Sequence, residues 1–216
     1  MAISSILFDL DGTLLDTADD LGAALNHVLA KYQFKPLTAD EYKQHASNGS
    51  VALLKAGFGE HWDTLPQANL KTEFLDYYQN NIAVYTRYYP SIERLLQTLN
   101  EQGIPWGIVT NKPTYLTLPL LTHFALLKES VSVVCGDTLT VAKPSAEPIL
   151  LACEQIGIIA DKCLYLGDAQ RDIEAGQNAG MKTAIASWGY IPKNLDLSTW
   201  NADLVFTDAQ QLINHI

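Results

Sequence analysis

Residues 4–17 read "SSILFDLDGTLLDT", and the change of character inside this stretch decides the fold. It opens as a buried strand, with Ile6, Leu7 and Phe8 continuously apolar, then sets Asp9 and Asp11 at i and i+2 ahead of Gly12 and Thr13. Residues at that spacing share one face of a strand. Like charges at the end of a core strand need compensation, because burying even one unpaired carboxylate is expensive. The stretch therefore reads as a core strand that delivers acids to a site.

Moving outward, runs of similar character recur: "IPWGIVT" (104–110), "SVVCG" (132–136), "CLYLGD" (163–168), "KTAIAS" (182–187) and "ADLVF" (202–206). Several are apolar throughout, the mark of strands covered on both faces, and helical stretches separate them. Two of these stretches have stop signals. "SIERLLQTLNEQG" ends at Gly103 and "SAEPILLACEQIG" at Gly157, so both predict crossover helices. The expected architecture is α/β, a Rossmann-like parallel sheet flanked by helices.

Residues 17–85 break the alternation. Thr17 with Asp20 and Thr38 with Glu41 predict helix-capping pairs, and "LPQANLKTEFLDYYQNNI" (65–82) has helical spacing of its apolar residues. This predicts an all-helical insertion over 17–85, with residues 1–16 and 86–216 forming the core.

Bulk properties narrow the function. The chain has 216 residues, 48% of them hydrophobic, enough for a substantial core. A formal net charge of −10 argues against nucleic acid or an anionic membrane as partner. The start "MAISSILFDLD" lacks a basic leader and a long apolar run, so a cytoplasmic location is expected. Cys135, Cys153 and Cys163 form neither a CxxC pair nor a zinc cluster, and are expected as buried, reduced thiols.

In an open parallel sheet, ligands lie beyond the carboxyl ends of the strands. Marking the polar residues there gives Asp9 and Asp11, then Thr110 and Asn111, then Asp168, with Lys143 in the loop "GDTLTVAKPSAEP". Clustered carboxylates repel, and a hard divalent cation such as Mg²⁺, which takes oxygen ligands and binds phosphate, resolves the repulsion. Asp9 and Asp168 are candidate direct ligands, Asp172 ligates directly or through water, and Asp11 stands in the same metal set. Lys143 is the second cation that a dianionic phosphoryl group needs. A carboxylate can attack phosphorus, while the leaving alkoxide needs a proton and the hydrolytic water needs a base. Asp9 as nucleophile and Asp11 as acid then base fit the i, i+2 spacing. Gly12 permits a sharp turn, and backbone N–H groups near Gly12 and Thr13, with the Thr110 hydroxyl and Asn111, are candidates to hold the phosphoryl group.

These residues resemble the haloacid dehalogenase superfamily. "FDLDGTLLDT" is similar to its first motif, "VTN" to the second, "KPSAEP" with Lys143 to the third and "GDAQRD" with Asp168 and Asp172 to the fourth, all in order along the chain. The resemblance implies a Rossmann-like core, a mobile helical cap after the first motif, Mg²⁺ as cofactor and a phosphoaspartate on Asp9. "TNKP" and "GDxxxDIxAGxxAG" resemble the phosphoglycolate phosphatase group; "WGIVTNKP", "EPILLACE" and "GYIPKN" resemble bacterial N-acetylmuramic acid 6-phosphate phosphatases. Ala169 departs from the usual Ser or Asp, and Ala146 from a frequent Pro. The substrate implied is a small-molecule phosphate monoester, handled by a monomer or homodimer.

"SNGS" (47–50) resembles the cap loop that reaches substrate in this family, making Asn48, Gly49 and Ser50 candidate contacts. Asp16 and Asp137 read as caps or loop acids, and Lys112 and Arg171, cations next to motifs, read as solvated or helix-end charges at least as readily as substrate-binding ones. A phospho-Asp receiver-like module would need neither the insertion nor Asp11. A dehalogenase or phosphonate hydrolase would lack Asp11, whereas a sugar-phosphate mutase would keep both acids.

Overall fold

The computed structural model describes residues 3–216, and the chain divides into two compact units. One unit comprises the chain up to Leu15 together with Tyr88–Ile216; the other is Asp16–Arg87, against the expected insertion over 17–85.

Along the chain the strands are β1 (Ser5–Phe8), β2 (Leu15–Asp16), β3 (Arg87–Tyr88), β4 (Trp106–Val109), β5 (Ser132–Val134), β6 (Cys163–Gly167), β7 (Lys182–Ala186) and β8 (Leu204–Phe206). The helices are α1 (Ala18–Lys31), α2 (Ala39–Ala46), α3 (Gly49–Phe58), α4 (Gln67–Asn80), α5 (Ile92–Glu101), α6 (Thr114–Thr122), α7 (Glu147–Ile156), α8 (Gln170–Asn178) and α9 (Ala209–Ile213).

The larger unit holds a six-stranded sheet in the order β5-β4-β1-β6-β7-β8, with β2 and β3 paired as a separate ribbon. Every pairing in the large sheet is parallel. The chain builds outward from β1 through β4 to β5, then returns to the other side of β1 with β6. Strand order thus reverses beside β1, the place where open α/β sheets form their ligand crevice. Apolar runs on both sides explain why β1, β4 and β6 are central: Ile6, Leu7, Phe8, Ile108, Val109, Leu164 and Leu166 are fully buried. Each such side chain contributes roughly 1.5–3 kcal/mol by leaving water. One core cluster joins Leu7, Val109 and Tyr165 of the sheet to Ile149 and Ala152 of α7 and Ala175 of α8.

Register aligns the strand ends. Phe8 lies opposite Ile108 on one side and Leu166 on the other, so Asp9, Thr110 and Asp168 all emerge at the same edge. All three cysteines are free and buried.

In the helical unit, Leu21, Leu25, Val28 and Leu29 of α1 are buried, as are Leu70, Phe74 and Tyr78 of α4, the i, i+4 pattern of an apolar helix face. Thr38 and Glu41 make the expected capping contact, the Thr38 N–H donating to Glu41 Oε2 at 2.7 Å. Asp20 corrects the other expected pair. Its carboxylate turns away from the helix start and accepts from Tyr85 N–H (2.9 Å), Thr86 N–H (2.9 Å) and the Thr86 hydroxyl (2.5 Å). A side chain that ties down two backbone N–H groups and a hydroxyl elsewhere in its unit gains more hydrogen bonds than one that closes its own helix start.

Candidate active site

Asp9 follows β1 directly, its backbone N–H donating to Leu166 O at 2.9 Å. Its carboxylate Oδ1 accepts from Lys143 Nζ at 2.8 Å, an ion pair in which both side chains are buried. Lys143 Nζ also donates to Val109 O and to Tyr165 Oη, each at 2.8 Å, and lies 2.7 Å from Asp172 Oδ1. Asn111 holds the lysine's main chain from both sides: its amide donates to Lys143 O (2.9 Å) and its Oδ1 accepts from Lys143 N–H (3.0 Å). Expected at the phosphoryl group, Asn111 thus spends its amide on positioning Lys143.

Asp168 leaves β6 beside Asp9. Its Oδ2 accepts from Tyr190 N–H at 2.9 Å, and Thr13 Oγ1 lies 3.5 Å from its Oδ1. Two glycines make the space: a Cβ on Gly12, whose φ is +90°, would collide with the Asp168 carboxylate, and one on Gly189 would collide with Asp168 Cβ. Asp172 sits in the first turn of α8, where its Oδ2 accepts from Ala169 N–H at 2.9 Å. Its other oxygen, Oδ1, is buried in the ion pair with Lys143.

Ligand oxygens of Asp9, Asp168 and Asp172 lie within 4.8 Å of one another, and all three residues are buried. Burial pushes the Asp172 carboxyl up from its ordinary range and the Asp9 charge adds to this, with Lys143 and Arg171 opposing. Burial alone would drive Lys143 down, but the Asp172 and Asp9 carboxylates together outweigh it and raise its pKa. Arg171 is likewise raised: the charges of Asp172, Asp9 and Asp168 overcome its own desolvation. Three carboxylates against two cations leave one excess negative charge in a buried space. That excess and the all-oxygen donor set fit a hard divalent cation.

Asp11, expected among the metal ligands, is differently placed. Lys112 Nζ donates to both its oxygens, at 3.1 and 3.2 Å, and its carboxylate is not part of the three-acid cluster. Thr110 Oγ1 accepts from Lys112 N–H at 3.1 Å, which leaves the hydroxyl hydrogen to donate elsewhere. Asn48, Gly49 and Ser50 lie in the helical unit at the start of α3, Gly49 with φ +78°. Asp16 belongs to that unit too, in contact with Lys43 at 3.4 Å, and Asp137 accepts from Thr114 N–H (2.8 Å) at the start of α6.

Sequence reasoning missed three residues. Lys112, read as a solvated or helix-end charge or a substrate-binding cation, is a buried partner of Asp11. Arg171, read the same way, joins the electrostatics of all three acids. Tyr165, hidden inside an apolar strand, binds Lys143; the only signal was a polar tip in "CLYLG".

The family described as haloacid dehalogenase-like hydrolase matches residues 6–186, taking in the strand ends that carry every acid of the cluster. The chain belongs to the haloacid dehalogenase-like hydrolases. The resemblance read from "FDLDGTLLDT", "VTN", "KPSAEP" and "GDAQRD" therefore holds. Among its relatives, an N-acetylmuramic acid 6-phosphate phosphatase from Pseudomonas aeruginosa is 39% identical over 99% of this chain and 95% of that protein. A phosphoglycolate phosphatase from Xanthomonas campestris pv. campestris is 38% identical over 96% of this chain and 94% of that one. The crystal structure of a predicted phosphoglycolate phosphatase from Haemophilus somnus 129PT superposes with a TM-score of 0.88 at 27% identity, covering 99% of this chain and 97% of the other. As a haloacid dehalogenase-like hydrolase, the chain carries the family's Rossmann-like parallel sheet, and its curated relatives are named phosphatases.

Proposed function

We propose that this protein is a Mg²⁺-dependent phosphomonoesterase of small phosphorylated metabolites, working through a phosphoaspartate on Asp9. The observation that carries the reading is the buried cluster itself: Asp9 with one oxygen held by Lys143 at 2.8 Å, beside Asp168 and Asp172. With Oδ1 so held, Oδ2 attacks phosphorus, the bond from phosphorus to the ester oxygen breaks, and Asp11 protonates the departing alkoxide. Asp11, now a carboxylate, takes a proton from water. The resulting hydroxide attacks the phosphoaspartate, the bond from phosphorus to the Asp9 oxygen breaks, and inorganic phosphate leaves with Asp9 and Asp11 restored. Thr110 and the backbone near Gly12 and Thr13 donate to the phosphoryl oxygens, and Lys143 offsets their charge. Asp9, Asp168 and Asp172 would hold Mg²⁺, which when bound supplies charge neutralisation for the transferring group.

The helical unit is the candidate substrate-selecting cap, with Asn48, Gly49 and Ser50 as contacts. The enzyme is read as cytoplasmic, a monomer or homodimer with no nucleic-acid or membrane partner; a net charge of −10 supports the exclusion of polyanionic partners, and no helix among the described residues is long and apolar enough to cross a membrane. 2-Phosphoglycolate is the leading substrate. A second reading, N-acetylmuramic acid 6-phosphate, is favoured by the Pseudomonas aeruginosa relative at 39% identity over 99% of the chain. Phosphate release from the two esters, compared side by side with and without EDTA, tests both readings. Equal turnover with and without chelator would contradict the metal role, and turnover of neither ester would exclude both substrates.

A further inference from the structure

We propose that Cys153 and Cys163 form a reversible oxidation site, at which hydrogen peroxide converts the two thiols into a disulfide joining α7 to β6. Their sulfurs lie 3.9 Å apart, with Cys153 donating to Cys163, and both residues are buried. Two fixed anchors place them there. Cys153 lies in the last turn of α7, where its carbonyl accepts from Gly157 N–H at 2.9 Å and Ile158 N–H at 3.1 Å. Cys163 opens β6 and pairs with Ser5 of β1. Cys135, the third thiol, sits beside Thr114 and Thr117 instead. Disulfide sulfurs are about 2.05 Å apart, so each sulfur has to move about 0.9 Å, a displacement that rotation about χ1 supplies.

The pair is asymmetric. Hydrogen bonds from Cys153 first, and also from the Ser5 side chain, hold the Cys163 thiol below its ordinary range against the effect of burial. The same Cys153–Cys163 bond, together with burial, keeps Cys153 protonated. The thiolate is the form that peroxide oxidises. Cys163 thus attacks the O–O bond and becomes a sulfenic acid, and the expelled hydroxide takes up the proton Cys163 had lost. The Cys153 sulfur then attacks the Cys163 sulfur, and its own proton leaves with the sulfenic hydroxyl as water. Two thiols and one peroxide give one disulfide and two waters. Access lies through the turn between α7 and β6, whose residues 157–162 are half-buried or exposed, Ile159 at 61%. Ile159 O accepts from Cys163 S–H at 3.6 Å, so the turn lies directly over the pair. With a resolving thiol in contact, Cys163 is captured before it advances to the irreversible sulfinic acid.

The test is mass-spectrometric peptide mapping, without reduction, of the folded full chain after brief exposure to hydrogen peroxide. The expected product links Cys153 to Cys163 within one chain, is about 2 Da lighter than the parent and reverts with dithiothreitol. Cys135→Ser should give the same product in the same yield. Cys153→Ser should abolish the bridge and carry Cys163 on to sulfinic acid. Should a variant fail to fold, the parent alone decides. Sulfinic acid at Cys163 with Cys153 still a free thiol, a bridge to Cys135, a link between two chains, or no oxidation of either cysteine would overturn the proposal.

Discussion

Each unit buries an aspartate almost completely, and the two are treated in opposite ways. Asp20, in the helical unit, accepts three hydrogen bonds shared over both carboxylate oxygens, two of them from backbone N–H groups. Asp172, in the sheet unit, has one oxygen bonded to Ala169 N–H and the other ion-paired with Lys143 at 2.7 Å, with Asp9 and Asp168 close by. A saturated carboxylate is a structural tie. One crowded against buried like charges costs stability, and its retention marks a place meant for a ligand.

Four experiments sharpen or break that contrast. The largest effect is expected at the nucleophile: Asp9→Asn should lower phosphate release at least about a thousandfold, read with mass-spectrometric exclusion of deamidation. Undiminished turnover would leave the cluster without its chemistry. Next, Asp20→Ala removes the acceptor of two partly exposed backbone N–H groups and of the Thr86 hydroxyl, and should cost about 2 kcal/mol in urea unfolding. A cost under about 1 kcal/mol would remove Asp20 from the structural side of the comparison. Third, Mg²⁺ at about one hundred times its dissociation constant should raise unfolding free energy by about 2.7 kcal/mol. Asp172→Asn should abolish this increment and Asp20→Ala should leave it intact, and the reverse pattern would invert the assignment of the two acids.

The smallest effect concerns Glu41, whose carboxyl is held below its ordinary range, chiefly by the Thr38 backbone N–H. A depressed native value means that the unfolded chain takes up the proton first as pH falls. The stabilisation from Glu41 is thus present above the ordinary carboxylate value and is lost as pH drops through the lowered native one. Urea midpoints followed downward from neutral pH should fall slightly more steeply for the parent than for Glu41→Gln. Identical slopes would show that this exposed cap contributes nothing.

The positions of Asp9, Thr110 and Asp168 could be read from sequence because each follows an apolar run whose burial is self-evident, and parallel register then brings strand ends together. Thr38 with Glu41 was equally legible, being a contact three residues apart. Asp20 was misread because its partners are 65 and 66 residues away, and local pattern favours the nearer cap. Lys112 was underrated for the same reason: Asp11 is 101 residues distant, and a lone lysine beside a motif looks solvated until the fold buries it.

By itself the sequence determined the α/β class, the parallel sheet and the set of acids at its edge, since these follow from apolar periodicity and from residues adjacent in the chain. Only the tertiary structure decided how those acids are used. Whether Lys143 gives its hydrogens to Asp9 134 residues away, to Tyr165 22 residues away or to Asp172 depends on distances of a few tenths of an ångström. Such distances are set by packing across strands and helices, and no local pattern encodes them.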